Sequence, residues 1–447
     1  MDNKTIYALS TVFGKSGVAV IRVSGNRAFD VVEKMTDLDI SKIDSRKMYL
    51  TEFHNPVSRE TLDNSLVVVF KSPASYTGED TVEINCHGSK AVIRSFLDAL
   101  SVLPDFRLAE PGEFSRRSFY SGKMDLTEAD GLADLIDAET SLQQKVALQQ
   151  MGGALFDLYN NWRSRLVSVL SYIEAYIDFP DEDIPQDTVK KIENGVFKIS
   201  EEIENHLRQN NVEERLRDGF KVVIAGPTNA GKSSLINAIV KRNVAIVSDI
   251  AGTTRDVIDA YVDIKGIPVI FTDTAGLRES DDKIEQIGIK LAKDKISEAD
   301  FCLFLFDAEK DNASIFNDYL KSVNVPYILV ANKQDKISPA MQKKLTDDGC
   351  ILVSAKESLN INILTDKIYE SFQSMYEKSS SCLITRQRYK ESLNECLDNL
   401  KRFNLQKEIE LSAEDIRLAC RAIGKITGQV EVDEILDKIF SSFCIGK

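Results

Sequence analysis

No uninterrupted apolar run among the 447 residues approaches the roughly 20 needed to cross a bilayer, so a soluble chain without a membrane partner is expected. The first ten residues carry neither a basic segment ahead of an apolar core nor an Arg-rich amphipathic pattern, which excludes a secretory signal or transit peptide and makes the cytoplasm the expected compartment. Seven cysteines (Cys86, Cys302, Cys350, Cys382, Cys396, Cys420, Cys444) are scattered and never spaced CxxC, against both a disulfide framework and a zinc knuckle. A GxGxxG fingerprint is also missing, so no resident dinucleotide cofactor is expected. Positive charge is in deficit: 56 Lys and Arg against 70 Asp and Glu leave a net −14, which removes any global attraction to a phosphate backbone. A nucleic-acid contact must then be local. Arg107, Arg116, Arg117 and Lys123 are the candidates, although so short a basic run is also ordinary solvated surface.

A chain this long exceeds one ordinary core. Residues 1–118 mix strand-like runs (18–23, 66–70, 82–86) with a helical piece at 91–100 and turn signals at Ser24-Gly25 and Pro111-Gly112, which reads as an α+β domain. From Thr127 the texture turns helical. Thr127 with Asp130 suggests a capping box, and Trp162, Leu166, Val169, Leu170, Ile173 and Ile177 share one helical face. Breaks fall at Pro180 and Pro185. Between about 217 and 375 short apolar strands alternate with helices, the pattern of a mostly parallel sheet. Helical periodicity then resumes, with Ser412 and Asp415 as a cap and with Ile416, Ala419, Ile423, Ile435, Leu436, Ile439 and Phe440 as apolar stripes. The expected architecture is multidomain α+β and α/β: an α+β domain (1–118), a discontinuous helical domain (119–216 and 376–447), and an inserted Ras-like P-loop domain (217–375).

The strand-like run 222–225 leads into Gly226-Pro227-Thr228-Asn229-Ala230-Gly231-Lys232-Ser233-Ser234, a GxxxxGKS match between strand and helix. In such a loop backbone N–H groups and a helix N-terminus surround phosphates, Lys232 reaches the β and γ oxygens, and the Ser233 hydroxyl ligates Mg2+. A lone match also fits a glycine turn, a reading that the motifs downstream remove. Asn332-Lys333-Gln334-Asp335 comes after the run 327–331, and a carboxylate there accepts from two donors that guanine presents and adenine lacks, so GTP is the expected nucleotide. Ser354-Ala355-Lys356 suits the loop whose backbone N–H contacts the guanine carbonyl. Asp273-Thr274-Ala275-Gly276 puts Asp273 in the magnesium shell and the Gly276 N–H at the γ-phosphate. Gly252-Thr253-Thr254-Arg255-Asp256 precedes a hairpin (257–264 and 267–271) and offers Thr254 as a second magnesium-ligating hydroxyl.

The residue after this DxxG is Leu277, where Ras-like GTPases carry a glutamine that orients the attacking water. Leucine holds no water. Arg278, Glu279 and Glu285 are the charged candidates just downstream, and a carboxylate can hold a water directly or through a second one; Glu285 is the plausible one, while spacing alone equally fits an exposed helical residue.

Gly226–Ser233, Asp249-Ile250-Ala251-Gly252-Thr253-Thr254-Arg255-Asp256, Asp273–Arg278 and the closing Cys444-Ile445-Gly446-Lys447 together resemble the tRNA modification GTPase family MnmE, also called TrmE. The likeness covers essentially the whole chain, including Tyr76-Thr77-Gly78-Glu79-Asp80 and Glu110-Pro111-Gly112-Glu113-Phe114-Ser115-Arg116-Arg117; the nucleotide motifs alone are shared with ribosome-assembly GTPases such as Era and Der. The resemblance implies a potassium ion held beside the phosphates by Asn229 and the main-chain oxygens of Ser248 and Ile250, with Thr253 in that loop. It implies two G domains meeting across their switches, and Glu285 positioning the water. It further implies a first domain that dimerises and binds a reduced folate, 5-formyl- or methylene-tetrahydrofolate, at Arg22, Glu83, Lys123 and Lys447. By residue type alone Arg22 with Glu83 is equally a structural salt bridge, and Lys123 ordinary surface.

The reaction so implied attaches an aminomethyl-type group, commonly carboxymethylaminomethyl, to carbon 5 of the wobble uridine of certain tRNAs. It is shared with a partner flavoprotein, MnmG, which carries FAD, uses NADH and forms a heterotetramer with the homodimer. Cys444 is a candidate for the modification step through its place in the terminal motif, although a lone cytosolic cysteine is commonly inert. His87 reads as a satisfied core histidine before a metal ligand or base. The alternative is a ribosome-assembly GTPase acting as an RNA-binding switch, which requires a basic RNA-binding appendix, whereas the flanks of the nucleotide motifs read as helical or folate-like.

Overall fold

The computed structural model describes residues 3–178, 186–209, 213–245, 259–273, 296, 298–320, 325–377, 386–406, 408–430, 436, 439–441, 443 and 445–446. The chain divides into two compact units, residues 1–133 with 423–447, and residues 134–422.

The first unit is built on a six-stranded sheet, β1 (Thr5–Leu9), β2 (Ser16–Ser24), β3 (Tyr49–His54), β4 (Thr61–Phe70), β5 (Thr81–Gly88) and β6 (Phe106–Leu108), in the order β3-β4-β5-β2-β1-β6. Alternation sets its faces. Ala19, Ile21 and Val23 of β2 and Val82, Ile84 and Cys86 of β5 enter one core with Phe96 and Leu100 of the helix Lys90–Ser101, which Ser89 caps through Val92 N. Arg22 and Glu83 are register partners, and so lie together on the opposite face. Ile6, Ala8, Ala109 and Phe114, with Tyr76 packed against them, form a second cluster. The expected cap at Thr127 and Asp130 is displaced: Asp125 Oδ1 accepts from Thr127 N and Glu128 N, and Glu128 Oε2 accepts from Asp125 N, so the box is Asp125 with Glu128. Leu436, Ile439, Phe440 and Phe443 join Leu126 and Ala129 in a small cluster of this unit.

In the second unit, seven strands, β7 (Phe220–Ala225), β8 (Val244–Ala245), β9 (Asp259–Ile264), β10 (Ile267–Asp273), β11 (Phe301–Asp307), β12 (Tyr327–Asn332) and β13 (Ile351–Leu352), run in the order β13-β12-β11-β7-β10-β9-β8. The pairings from β13 to β10 are parallel; β10 with β9 and β9 with β8 are antiparallel. β11 is buried along its whole length because both faces are covered: Phe301, Leu303 and Leu305 enter one core, Cys302, Phe304 and Phe306 the other. β7 has β10 on one side and β11 on the other, so the chain order reverses there, the place where open α/β sheets take ligands.

Helices from either side of this sheet in the chain pack on each other. Ala154–Asp178 buries Tyr159, Trp162, Leu166, Val169 and Ile173, while Leu170 and Ile177 of the expected stripe are only half-buried. Lys401 of the helix Gln387–Arg402 pairs with Glu204 of Gln186–Gln209 at 2.9 Å, and Arg417 of Ile409–Thr427 pairs with Glu174. Ser412 does not cap: it lies inside its helix and donates to Asn404 O, and Asp415 pairs with Arg402.

His206 is buried in this bundle against the rings of Tyr159 and Trp162, and burial pulls its pKa from 6.5 to about 4. The unfolded chain therefore binds this proton first. Stability is expected to fall as pH drops from 6.5 towards 4, by at most about 3 kcal/mol. Thermal melts of His206→Gln against wild type across that window should show a shallower slope in the variant; parallel slopes would contradict it.

Candidate nucleotide site

Beyond the end of β7 the chain runs so close to its neighbour β11 that a Cβ on Gly226 would stand 1.9 Å from the Leu305 carbonyl oxygen, so no other residue fits without moving backbone. The loop then turns through Asn229, at φ 63°, to Gly231, which caps the helix Lys232–Arg242. Lys232 is 7% exposed, and its Nζ donates to the carbonyls of Gly226 at 2.8 Å and Pro227 at 3.0 Å. Burial draws its pKa below the usual lysine value, with the Asp273 charge opposing. Ser233 Oγ donates to Asp273 Oδ2 at 2.8 Å. A hydroxyl from the first turn of the helix thus meets a carboxylate from the end of β10, a hard-oxygen set of the kind magnesium takes.

Asn332, at the end of β12, is buried and points inward. Its Nδ2 donates to Ala230 O at 2.7 Å and its Oδ1 accepts from Ala355 N at 3.0 Å, tying the phosphate loop, the Asn332–Asp335 loop and the Ser354–Lys356 loop to one side chain. Lys333, at φ 64°, pairs with Asp307 at the end of β11. Burial alone would raise the Asp307 carboxyl, but the Lys333 ammonium and the Glu309 N–H outweigh it and hold it below the usual range. Asp307 belongs to none of the sequence motifs; its signal is an acid at the carboxyl end of a strand facing this loop. Asp335 is exposed, and a hydrogen bond from the buried Ser354 side chain lowers its pKa, which keeps it ionised. Ala355 is buried, whereas Lys356 is exposed beside Glu357. Ser234 lies exposed on the first turn of the helix. Ser248–Thr254, Thr274–Gly276, Leu277–Glu279 and Glu285 lie outside the described residues.

The MnmE helical domain family matches residues 126–444, and the family described as GTP-binding protein TrmE N-terminus matches residues 5–123. A tRNA modification GTPase MnmE from Rickettsia canadensis (strain McKiel) is 46% identical over 446 residues, spanning 99% of this chain and 100% of its own length. This chain belongs to the MnmE family. A second member, from Rickettsia bellii, is 45% identical over the same shares. Among solved structures, a variant of Aquifex aeolicus Era bound to GDP and aluminium fluoride aligns at a TM-score of 0.28 with 27% identity, over 40% of this chain and 66% of that one.

Two MnmE motifs of the first unit, 76–80 and 110–117, form one buried network. Glu113 takes both Nη atoms of Arg107 at 2.7 Å and Nη2 of Arg117 at 3.0 Å, and Arg117 Nη1 reaches Glu79 at 2.9 Å. Burial pushes the Glu113 carboxyl up, but Arg107, the Glu110 N–H and Arg117 outweigh it and hold it low. This corrects the surface reading of the arginines in the basic run, while Lys123 keeps it. Arg117 is 3% exposed and Arg116 lies over the Phe440 ring, because each cation serves the fold. Arg22 Nε donates to Glu83 Oε1 at 2.8 Å, so the salt bridge open to sequence reasoning is present; its guanidinium lies 5.0 Å over the Tyr76 ring and 5.6 Å over that of Phe114. Lys123 is exposed beside Gly78. Cys444 and Lys447 lie outside the described residues, but Ile445 bridges to Pro111 and Gly446 O accepts from Ser10 Oγ at 2.9 Å. His87 is not a core histidine: it is 71% exposed, its Nδ1 2.8 Å from Asp63, because β5 points it to the open face.

Proposed function

We propose that this chain is a potassium-dependent GTPase that acts as a homodimer with an MnmG-type flavoprotein carrying FAD and using NADH, to install an aminomethyl-type (carboxymethylaminomethyl) group on carbon 5 of the wobble uridine of certain tRNAs. The observation that carries the reading is the meeting of the phosphate loop, Asp273, Asn332 with Asp335, and Ser354 with Ala355 at the carboxyl edge of one sheet, in a chain of the MnmE family. GTP lies with its phosphates on the N–H groups of residues 229–234 and its guanine edge on Asp335. Lys232 turns its ammonium from the two loop carbonyls onto the β and γ oxygens. Ser233 and Thr254 would hold the Mg2+ that offsets phosphate charge. Asn229, Ser248, Ile250 and Thr253 would hold the K+ that supplies positive charge where an arginine finger otherwise does. Glu285 positions the water, since Leu277 cannot.

In the first unit Arg22 and Glu83, partly exposed beside Tyr76 and Phe114, offer a guanidinium and a carboxylate to the polar edges of a reduced folate, 5-formyl- or methylene-tetrahydrofolate. Lys123 and Lys447 are its further contacts, and Cys444 takes part in the modification step. The contacts of Ile445 and Gly446 with Pro111 and Ser10 support a terminus at this unit.

GTP turnover should fall at least about tenfold when Na+ replaces K+, and about a hundredfold in Glu285→Ala. Equal turnover in the two salts, or an unchanged variant, would end this mechanism. Nucleoside mass spectrometry of tRNA from cells lacking the gene should show loss of the wobble-uridine modification; an unchanged profile with accumulated ribosome precursors would favour the RNA-binding switch instead.

A further inference from the structure

The β9–β10 hairpin is anchored outside its own sheet. Leu142 N, in the helix Ser141–Met151, donates to Gly266 O at the hairpin tip at 3.1 Å. A Cβ on Gly266, whose φ is +90°, would stand 2.2 Å from Ser141 Oγ, so the two elements are in direct contact. Gln143 grips from the same turn. Its Nε2 donates to Tyr261 Oη on β9 at 3.0 Å and to Arg217 O, shortly before β7, at 2.8 Å. Its Oε1 accepts from Glu139 N and Thr140 N, both at 3.0 Å, closing the capping box of its helix. One side-chain amide therefore holds the start of a helix and two approaches to the nucleotide sheet. The far end of the hairpin is Asp273, bonded to Ser233. A cavity of about 350 Å³, lined by Gln143, Asp134, Val146, Leu216, Arg217 and Arg386, leaves one side of this joint unfilled.

We propose that Gln143 is a positioning residue that couples the nucleotide site to the helices. A shift of β10 at Asp273 travels down the paired hairpin to Tyr261 and Gly266, and Gln143 passes it into Ser141–Met151 and on to Ala154–Asp178. Two directional hydrogen bonds from one rigid amide fit one arrangement, so displacement of Tyr261 or Arg217 either draws the helix along or breaks both. The inference rests on the GTPase reading.

Gln143→Glu isolates the coupling: a carboxylate still accepts from the capped N–H groups, but no longer donates to Arg217 O or Tyr261 Oη. Tyr261→Phe removes only the hydroxyl. Hydrogen exchange is followed by mass spectrometry on the full chain in K+, with GDP and with GDP plus aluminium fluoride. In wild type, peptides of 141–151 and 154–178 should differ about tenfold in exchange between the two states. In both variants that difference should diminish, most in Gln143→Glu, while peptides of β10 and of Lys232–Arg242 keep theirs, GTP turnover stays within about twofold, and wobble-uridine modification drops. Helical peptides that respond undiminished in both variants, or do not respond in wild type, overturn the proposal. If β10 and the phosphate-loop helix themselves ignore nucleotide in wild type, the GTPase reading fails first and takes the coupling with it. Unchanged exchange of the β7 and β11 peptides, at the centre of the second unit's own sheet, establishes that the variants are folded.

Discussion

A Lys232→Ala protein is expected to hydrolyse GTP at least about a thousandfold more slowly than wild type under single-turnover conditions. Lys232 is 7% exposed and its ammonium is held by two loop carbonyls, so it is a buried charge, already stripped of most of its water, that turns onto the phosphate oxygens when they arrive. Its depressed pKa reports that burial works against the charged form, and removing it should not cost the empty protein stability. Loss of activity without loss of melting temperature is therefore the signature. Lys232→Arg should not rescue, because a planar fork cannot reproduce a point charge folded back on Gly226 and Pro227. Hydrolysis within tenfold of wild type in the alanine variant would mean that phosphate binds elsewhere.

The loops 226–234 and 332–335 and the strand that precedes each were legible in the sequence because local segments encode them: a strand must end, and a glycine must admit a backbone. Contacts between distant segments were not legible. The Asn332 amide bonds Ala230 O and Ala355 N, a pattern that exists only once β7, β12 and β13 lie in register. Arg117 reads as surface charge because Glu79, 38 residues away, reaches it only through folding; its i,i+4 partner Glu113 is local, but that Arg107, Arg117 and Glu79 share one buried network is not encoded locally. The displaced cap at Asp125 has another origin. Thr127 and Asp130 satisfy the spacing, but Asp125 and Glu128 satisfy it equally and supply a carboxylate to the free N–H groups. His87 departs from the core reading because a histidine beside a buried cysteine in a strand points, by alternation, away from the core.

Asp335→Asn should weaken GTP binding about a thousandfold and make XTP the better substrate. The argument is one of donors and acceptors. The Ser354 side chain holds the Asp335 carboxyl below the usual carboxylate range, so at neutral pH it is acceptor-only, the complement of the two adjacent N–H donors on a guanine edge. An amide keeps one acceptor and sets a donor against the second guanine donor. Xanthine carries a carbonyl at that place, and the new donor meets it. Because Asp335 is exposed, the exchange should alter stability by less than about 0.5 kcal/mol, so changed specificity cannot be ascribed to unfolding. Lys232, Ser233 and Asp273 are untouched, and turnover of bound XTP should keep the cation requirement that wild type shows with GTP. Competition between the two nucleotides measures the switch. A wild-type preference retained in the variant would remove Asp335 from the base and, with it, the reason to read this phosphate loop as one for guanine.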